Sequence, residues 1–152
     1  KSVNIGCVRM TERNIHSDPP AQEEIENARK DIQEAITEAA AIVPITKAKT
    51  LIAVAGTATS VAASALQLEE YDRHLIHLSH ISAEQAHTVA LTFQKMNAEQ
   101  RSHVGFLHPG RADVFAAGSL VLSEIMKATG AAEFVASEAD ILDGIAWSLA
   151  GK

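Results

Sequence analysis

Cysteine is nearly absent from the chain: Cys7 is the only one in 152 residues. An internal disulfide and a cysteine-based metal cluster are both excluded, and a reducing cytoplasm is the expected compartment. Aromatic residues make up only 4% of the chain, so the core is expected to be aliphatic and rich in alanine. No run of lysine and arginine occurs and the net charge is −6, which argues against a general nucleic-acid binder. No apolar stretch reaches the length of a membrane span before Glu, Lys, Arg or His interrupts it. Lys1-Ser2-Val3-Asn4-Ile5 contains no apolar signal core. Gly-x-Ser-x-Gly and Gly-x-x-x-x-Gly-Lys-Ser/Thr are missing too, which leaves Cys7 as the one candidate nucleophile. It reads instead as an inward-facing strand residue.

What is present suits a globular α/β domain. Hydrophobic residues make up 47% of the chain and charged ones 21%, enough for one domain, residues 1–152, with a real core. The stretch around which the rest is organised is Thr50-Leu51-Ile52-Ala53-Val54-Ala55-Gly56-Thr57-Ala58-Thr59-Ser60. Leu51 to Ala55 is a short apolar run of the kind found in strands covered on both faces. Gly56 permits a sharp turn and a close backbone approach, and Thr57 and Thr59 are candidate caps for the helix that follows. The free N–H groups and positive dipole end of such a helix form an anion site. The same stretch is also simply a βα junction, and most of those bind nothing.

Taken in order, Ser2–Met10 alternates Val3, Ile5 and Cys7 against Asn4 and Gly6, the pattern of a strand. It has no neighbour to pair with, so a preceding segment is expected to be missing. Asp18-Pro19-Pro20 reads as a helix start. Ile25, Ala28, Ile32, Ala35, Ile36, Ala39 and Ile42 then mark one face of a helix ending near Pro44. A buried helix follows the central corner, from Ala58 to about Leu68. His74–Ile81 suits an extended piece. Ser82-Ala83-Glu84-Gln85 is a capping box that opens a helix to about Met96, and Asn97 caps a shorter one. Pro109 opens a helix with a wide apolar stripe, in which Gly118 implies close packing and Gly130 a C-cap. Glu133–Ser137 reads as a strand. Glu138–Ala150 is expected to be a last helix with Ile141, Leu142, Ile145, Ala146 and Leu149 inward. Strands separated by helices imply that the last two run parallel.

Few residues stand out for chemistry. The seven histidines include His74, His77 and His80 at spacings of three, which match no zincin pair and read as surface residues. Arg9 and Glu12 read as an ion pair at a strand end rather than as a catalytic carboxylate. Arg111 is more suggestive. A cation at a helix start is mildly unfavourable, and beside Gly110 its forked donors suit a phosphate. A packing or ion-pair role is equally open.

Several stretches together carry a resemblance. Asn4–Arg13, Ser17–Pro20, Val54–Thr59, Pro109–Val114 with Ala117-Gly118, and Ser137-Glu138 followed by Asp143-Gly144-Ile145 occur in an order that resembles the exopolyphosphatase/guanosine-pentaphosphate phosphohydrolase (Ppx/GppA) family. The resemblance covers essentially the whole chain. It implies a ribonuclease H-like (actin-like) fold, here helix-rich and truncated, with about three strands. It implies hydrolysis of a terminal phosphate from inorganic polyphosphate or guanosine pentaphosphate with Mg or another divalent cation. Only part of the family's second domain has a counterpart here. The first actin-like domain, with its catalytic glutamate, and the Asp-x-Gly-Gly-Gly-Ser loop are not matched. No catalytic residue and no metal ligand can therefore be carried over, and the chain by itself is expected to be inactive; the alternative is a non-catalytic phosphate- or nucleotide-binding module of the actin-like fold. What can be carried over is a phosphate- or nucleotide-binding role for Gly56, Thr57, Ala58, Thr59 and Arg111. The implied partners are the substrate, the missing N-terminal domain and a second copy pairing through the open strand, with no membrane and no nucleic acid.

Overall fold

The computed structural model describes residues 1–151. In chain order it contains α1 (Cys7–Asn14), α2 (Gln22–Ala40), β1 (Ile52–Val54), α3 (Ala55–Ala65), α4 (Arg73–Ile76), β2 (His80–Ser82), α5 (Ala83–Lys95), α6 (Ala98–Ser102), α7 (Phe115–Thr129), β3 (Glu133–Ser137) and α8 (Ile141–Leu149), with short 3₁₀ turns at Ile45–Lys47 and Pro109–Arg111. No helix of the described residues is long and apolar enough to cross a membrane.

The sheet has three strands in the order β1-β3-β2. β1 runs parallel to β3, with Ile52 opposite Val135 and Val54 opposite Ser137. β2 runs antiparallel to β3, with Ile81 opposite Phe134. The parallel pair is the one that the strand–helix alternation predicts. Because β1 and β3 are parallel, their carboxyl ends lie side by side, and in open α/β sheets that is the edge where ligands bind.

Helix α7 divides the core in two. On one side the sheet, α3 and α5 enclose Val61, Ile76, Ile81, Phe93, Phe106, Phe115 and Phe134. Phe93 and Phe115 meet edge to face at 4.5 Å and 90°, an arrangement that adds about 0.5–1.5 kcal/mol beyond the buried area. Aromatics are few, but every phenylalanine is placed here. On the other side Ile25, Ala28, Ile32 and Ile36 of α2 pack with Met10 of α1 against Ala117 and Leu120 of α7. Gly118 allows this close approach. A Cβ there would lie 2.9 Å from that of Cys7 and 3.0 Å from Thr57 Cγ2, so the close neighbours are side chains.

Several sequence expectations give way. Ser2–Met10 is not a strand: Cys7–Asn14 is helical and Met10 is fully buried. Cys7, Met10, Thr11 and Asn14 share a helix face at i, i+3, i+4 and i+7, and packing against α2 and α7 decides over a pattern too short to separate the two periods. The open strand through which a second copy was expected to pair is therefore absent. β1 takes its place as an edge strand. Asp18 does not cap α2; its carboxylate accepts from Ala98 N of α6 at 2.8 Å. Glu24 instead reaches back to Ala21 N at 2.9 Å, which closes the first turn of α2. Helix α2 ends at Ala40, short of Pro44. Arg9 donates to Asn4 rather than to Glu12. Finally, α8 forms as expected but its apolar residues face outward. Ile141, Leu142, Ile145 and Leu149 are exposed, Leu149 at 85%, and so is Trp147. Periodicity tells which residues form a face; it does not tell what covers it.

Candidate phosphate-binding cleft

The cleft begins where β1 becomes α3. Val54 is extended, and Ala55 opens the helix with a φ of 68°. A positive φ in a residue with a Cβ is a strained conformation that packing has to hold in place. It turns the chain within one residue, so α3 starts at Ala55 rather than at Ala58. No side chain caps this helix. Thr57 and Thr59 are not caps: both lie inside the first turns, and Thr59 Oγ1 donates to Gly56 O at 3.4 Å. The first N–H groups of α3 are thus left without a side-chain acceptor, at the end of the helix where the dipole is positive.

Arg111 comes to this corner from the 3₁₀ turn ahead of α7. Its guanidinium lies over Gly56 so closely that a Cβ there would sit 1.9 Å from Arg111 Cζ. This is the close approach that Gly56 permits. Of the roles that the sequence leaves open for Arg111, namely anion binding, packing and an ion pair, the ion pair with Asp113 does not form. Among the described residues the ion pairs leave Arg111 without a carboxylate. The two features bound a cleft of about 590 Å³, lined by Gly56, Thr59 and Ser60 of α3, by Tyr71, and by Gly105–Pro109 with Arg111.

Of the other groups in the cleft, His108 has a donor to offer, whereas Tyr71 gives its one O–H to Glu138. His108 Nδ1 accepts from Gly110 N at 3.1 Å; in the neutral ring that leaves the proton on Nε2 as a donor. Burial, and then the Glu138 carboxylate that its hydroxyl meets at 2.5 Å, push the Tyr71 phenol above its ordinary value of 10.0 and keep it protonated. Among the described residues no carboxylate lines the cleft itself; Glu138 meets it only through the Tyr71 hydroxyl. An arginine, a helix N-terminus and hydroxyls suit an anion. They do not suit Mg, which takes carboxylate oxygens and water. Among the described residues no three His, Cys, Asp or Glu side chains converge. His80 instead meets Glu133 at 2.7 Å, and His87 meets Ser123 at 2.8 Å.

Of the five residues that the sequence singles out, Gly56, Thr59 and Arg111 meet in this cleft. Thr57 and Ala58 turn to the opposite side of α3 and line a shallower apolar depression with Val54, Gly118 and Leu122. Tyr71, His108 and the loop Gly105–Leu107 are given no binding role by the sequence, where Val104–His108 reads as a loop and His108 as a surface histidine. His108 could have been found from its place one residue before Pro109-Gly110, as the cap of a turn. Tyr71 carries no local signal at all.

Across its whole length, residues 1–152, the chain matches the model of the Ppx/GppA phosphatase family. The chain belongs to that family. It is 41% identical to exopolyphosphatase 2 of Mycobacterium tuberculosis, an alignment that takes in 99% of this chain and 48% of that protein. Among solved structures, an exopolyphosphatase-like protein superposes with a TM-score of 0.93 at 39% identity, over 98% of this chain and 49% of the other. The Aquifex aeolicus Ppx/GppA family member superposes at 0.85 with 22% identity, over 99% and 48%, a likeness that bears on the fold alone. The chain thus spans about half the length of these Ppx/GppA relatives. The actin-like fold inferred from its motifs is the fold they share, seen here as a helix-rich domain on a three-stranded sheet.

Proposed function

We propose that this chain supplies one wall of a phosphoanhydride hydrolase that removes the terminal phosphate of inorganic polyphosphate, or in a second reading of guanosine pentaphosphate. The observation that carries the proposal is the meeting of the Arg111 guanidinium with Gly56 at the uncapped start of α3. Arg111 offers forked donors, the α3 N-terminus offers backbone N–H groups and a positive dipole end, and His108 offers Nε2–H. Together these hold a phosphoryl group and spread its charge, which is the larger part of catalysis of phosphoryl transfer. Cutting the anhydride also needs a carboxylate to orient and deprotonate water; among the described residues none lines this wall, and Glu138 is engaged by the Tyr71 hydroxyl. In the whole enzyme the required carboxylate, and a divalent cation to offset the phosphate charge, come from the facing half. Residues 1–152 act as one domain in this reading, a partial second domain of the Ppx/GppA type.

The test is a pair of measurements on the 152-residue chain. Titration calorimetry with inorganic polyphosphate is expected to show binding that Arg111→Ala abolishes or weakens at least about tenfold, the value of one charge-assisted hydrogen bond. Phosphate release, followed with malachite green in the presence of Mg, is expected to stay at the level without protein. Equal binding by Arg111→Ala sinks the anion site; turnover by the chain sinks the half-site. Guanosine pentaphosphate in place of polyphosphate separates the two substrates by their affinities.

A further inference from the structure

Arg101 lies outside the cleft and is 4% exposed. Arginine is rarely buried so far unless each of its donors is used, and here three of them are. Nε donates to Ala112 O at 2.7 Å, one Nη donates to Met96 O, and the other donates to Asp18 Oδ1 at 3.2 Å. Ala112 directly follows Arg111. Between Arg101 and Ala112 runs the loop that carries Gly105–Pro109 and Arg111, most of the cleft wall. Arg101 sits in the last turn of α6, from which this loop leaves, so its side chain joins the loop's end to the helix at its beginning. The tip has its own supports. Phe106 packs edge-on to Phe93 at 6.5 Å, and Arg111 N donates to His108 O at 2.8 Å. The far end of the loop, where it passes into α7, is held at Ala112 O.

We propose that Arg101 is a positioning residue: by fastening Ala112 O to the Met96 carbonyl and to Asp18, it sets where Arg111 stands over Gly56 and so tunes the grip of the cleft on a phosphate chain. The proposal rests on the anion-binding reading of the cleft. A fork of three donors in fixed directions is what the site uses, and lysine, with one ammonium on a flexible stem, cannot span all three acceptors. Arg101→Lys keeps the charge and most of the volume but releases part of the clasp. Arg111 then loses its fixed position while its own side chain is intact.

The experiment titrates inorganic polyphosphate into the 152-residue chain as wild type, Arg101→Lys, Arg111→Ala and the double variant, at a temperature where circular dichroism shows each folded. Arg101→Lys is expected to weaken binding about tenfold, within the range of couplings found inside one hydrogen-bond network. In the Arg111→Ala background the same change is expected to have no further effect. A purely structural arginine would lower the melting temperature and leave the affinity of the folded chain unchanged; that result overturns the proposal, and so does an equal loss in both backgrounds. Wild-type binding by Arg111→Ala overturns the anion site itself and this inference with it. If Arg101→Lys does not fold, Asp18→Asn loosens the same fork from its half-exposed side. It is expected to weaken binding about threefold, and unchanged affinity there also overturns the proposal.

Discussion

Gly56→Ala separates stability from binding at the cleft. The added Cβ would meet Arg111 Cζ and one Nη at 1.9 Å and the other Nη at 2.0 Å. Ordinary contact needs about 3.5 Å, so the guanidinium has to retreat by about 1.5–2 Å. It is the far end of a long side chain in an open cleft, so it can move at a rotamer cost of about 0.5–1.5 kcal/mol. Against this, alanine is favoured over glycine within a helix by up to about 1 kcal/mol. The two nearly cancel, and at about 2–4 °C per kcal/mol for a chain of this size the melting temperature should stay within a few degrees. Binding has no such compensation. A guanidinium displaced by that much loses its charge-assisted hydrogen bond to the phosphate, about 1.5–3 kcal/mol or roughly tenfold to hundredfold in affinity. Differential scanning fluorimetry gives the first quantity and titration with inorganic polyphosphate the second. Unchanged affinity would show that Arg111 holds no anion where it stands. A loss of more than about 3 kcal/mol of stability would show that the space over Gly56 cannot be vacated and that the pair is a packing feature.

Three further expectations follow from other parts of the molecule. Glu24 accepts from Ser17 Oγ, from Ala21 N and from the backbone of His16 and Ser17, which lower its pKa from 4.5 to about 2. The folded value lies below the unfolded one, so this contribution is whole above pH 4.5 and is lost as the pH falls toward 2. Glu24→Gln should therefore melt lower than wild type at pH 7, and the gap should close as melts are repeated down to pH 2. Glu124, with a side chain only 2% exposed, holds Arg29 at 3.3 Å, Lys127 at 2.8 Å and Gln33 at 2.9 Å. Glu124→Ala should cost about 3 kcal/mol in urea unfolding, the low end for one partner of a buried pair, because Lys127 can return to water. A change below about 1 kcal/mol would mean that the network adds nothing. Trp147, the only tryptophan and 64% exposed on α8, should show the emission of a solvated indole and full access to acrylamide; a protected tryptophan would mean that the apolar face of α8 is covered.

The sequence spoke most clearly where one strong local signal had no competitor. Ser82 and Gln85 form their reciprocal cap as written, Asn97 caps α6, and Gly130 closes α7. Of the stripe on α2, Ile25, Ala28, Ile32 and Ile36 are buried and Ala35 and Ala39 half-buried, but Ile42, past the helix end at Ala40, is exposed. The reading failed where the deciding partner was distant. Val3, Ile5 and Cys7 alternate over too few residues to exclude a helix, and the packing of Met10 against α2 and α7 selects one from Cys7 onward. Asp18 beside two prolines is a good local cap, yet Ala98 and Arg101, far along the chain, claim its carboxylate. Both failures have one cause. Short-range pattern sets what a segment can form, and long-range contact chooses among the options.

The same division explains the cleft. In the sequence Gly56 and Arg111 each look like a broken local rule, glycine in the first turn of a helix and a cation where a helix is expected to start; the structure keeps the first, but Arg111 ends a 3₁₀ turn and α7 begins only at Phe115. Sequences that fold well agree with such rules almost everywhere, and departures gather at functional sites. Each departure alone was open to a bland explanation. Together they are one feature, because the missing side chain of Gly56 is the space that the guanidinium of Arg111 occupies. Neither residue could be altered without the other: a side chain at 56 evicts the arginine, and without Arg111 the glycine gives up helix stability for nothing. The side chains of Thr57 and Ala58 lie in the same motif but line the apolar depression with Gly118 of α7, while the backbone N–H of Thr57 belongs to the uncapped start of α3. Which side of the corner stays open is decided by the turn at Ala55, where a single positive φ aims the helix start at the cleft.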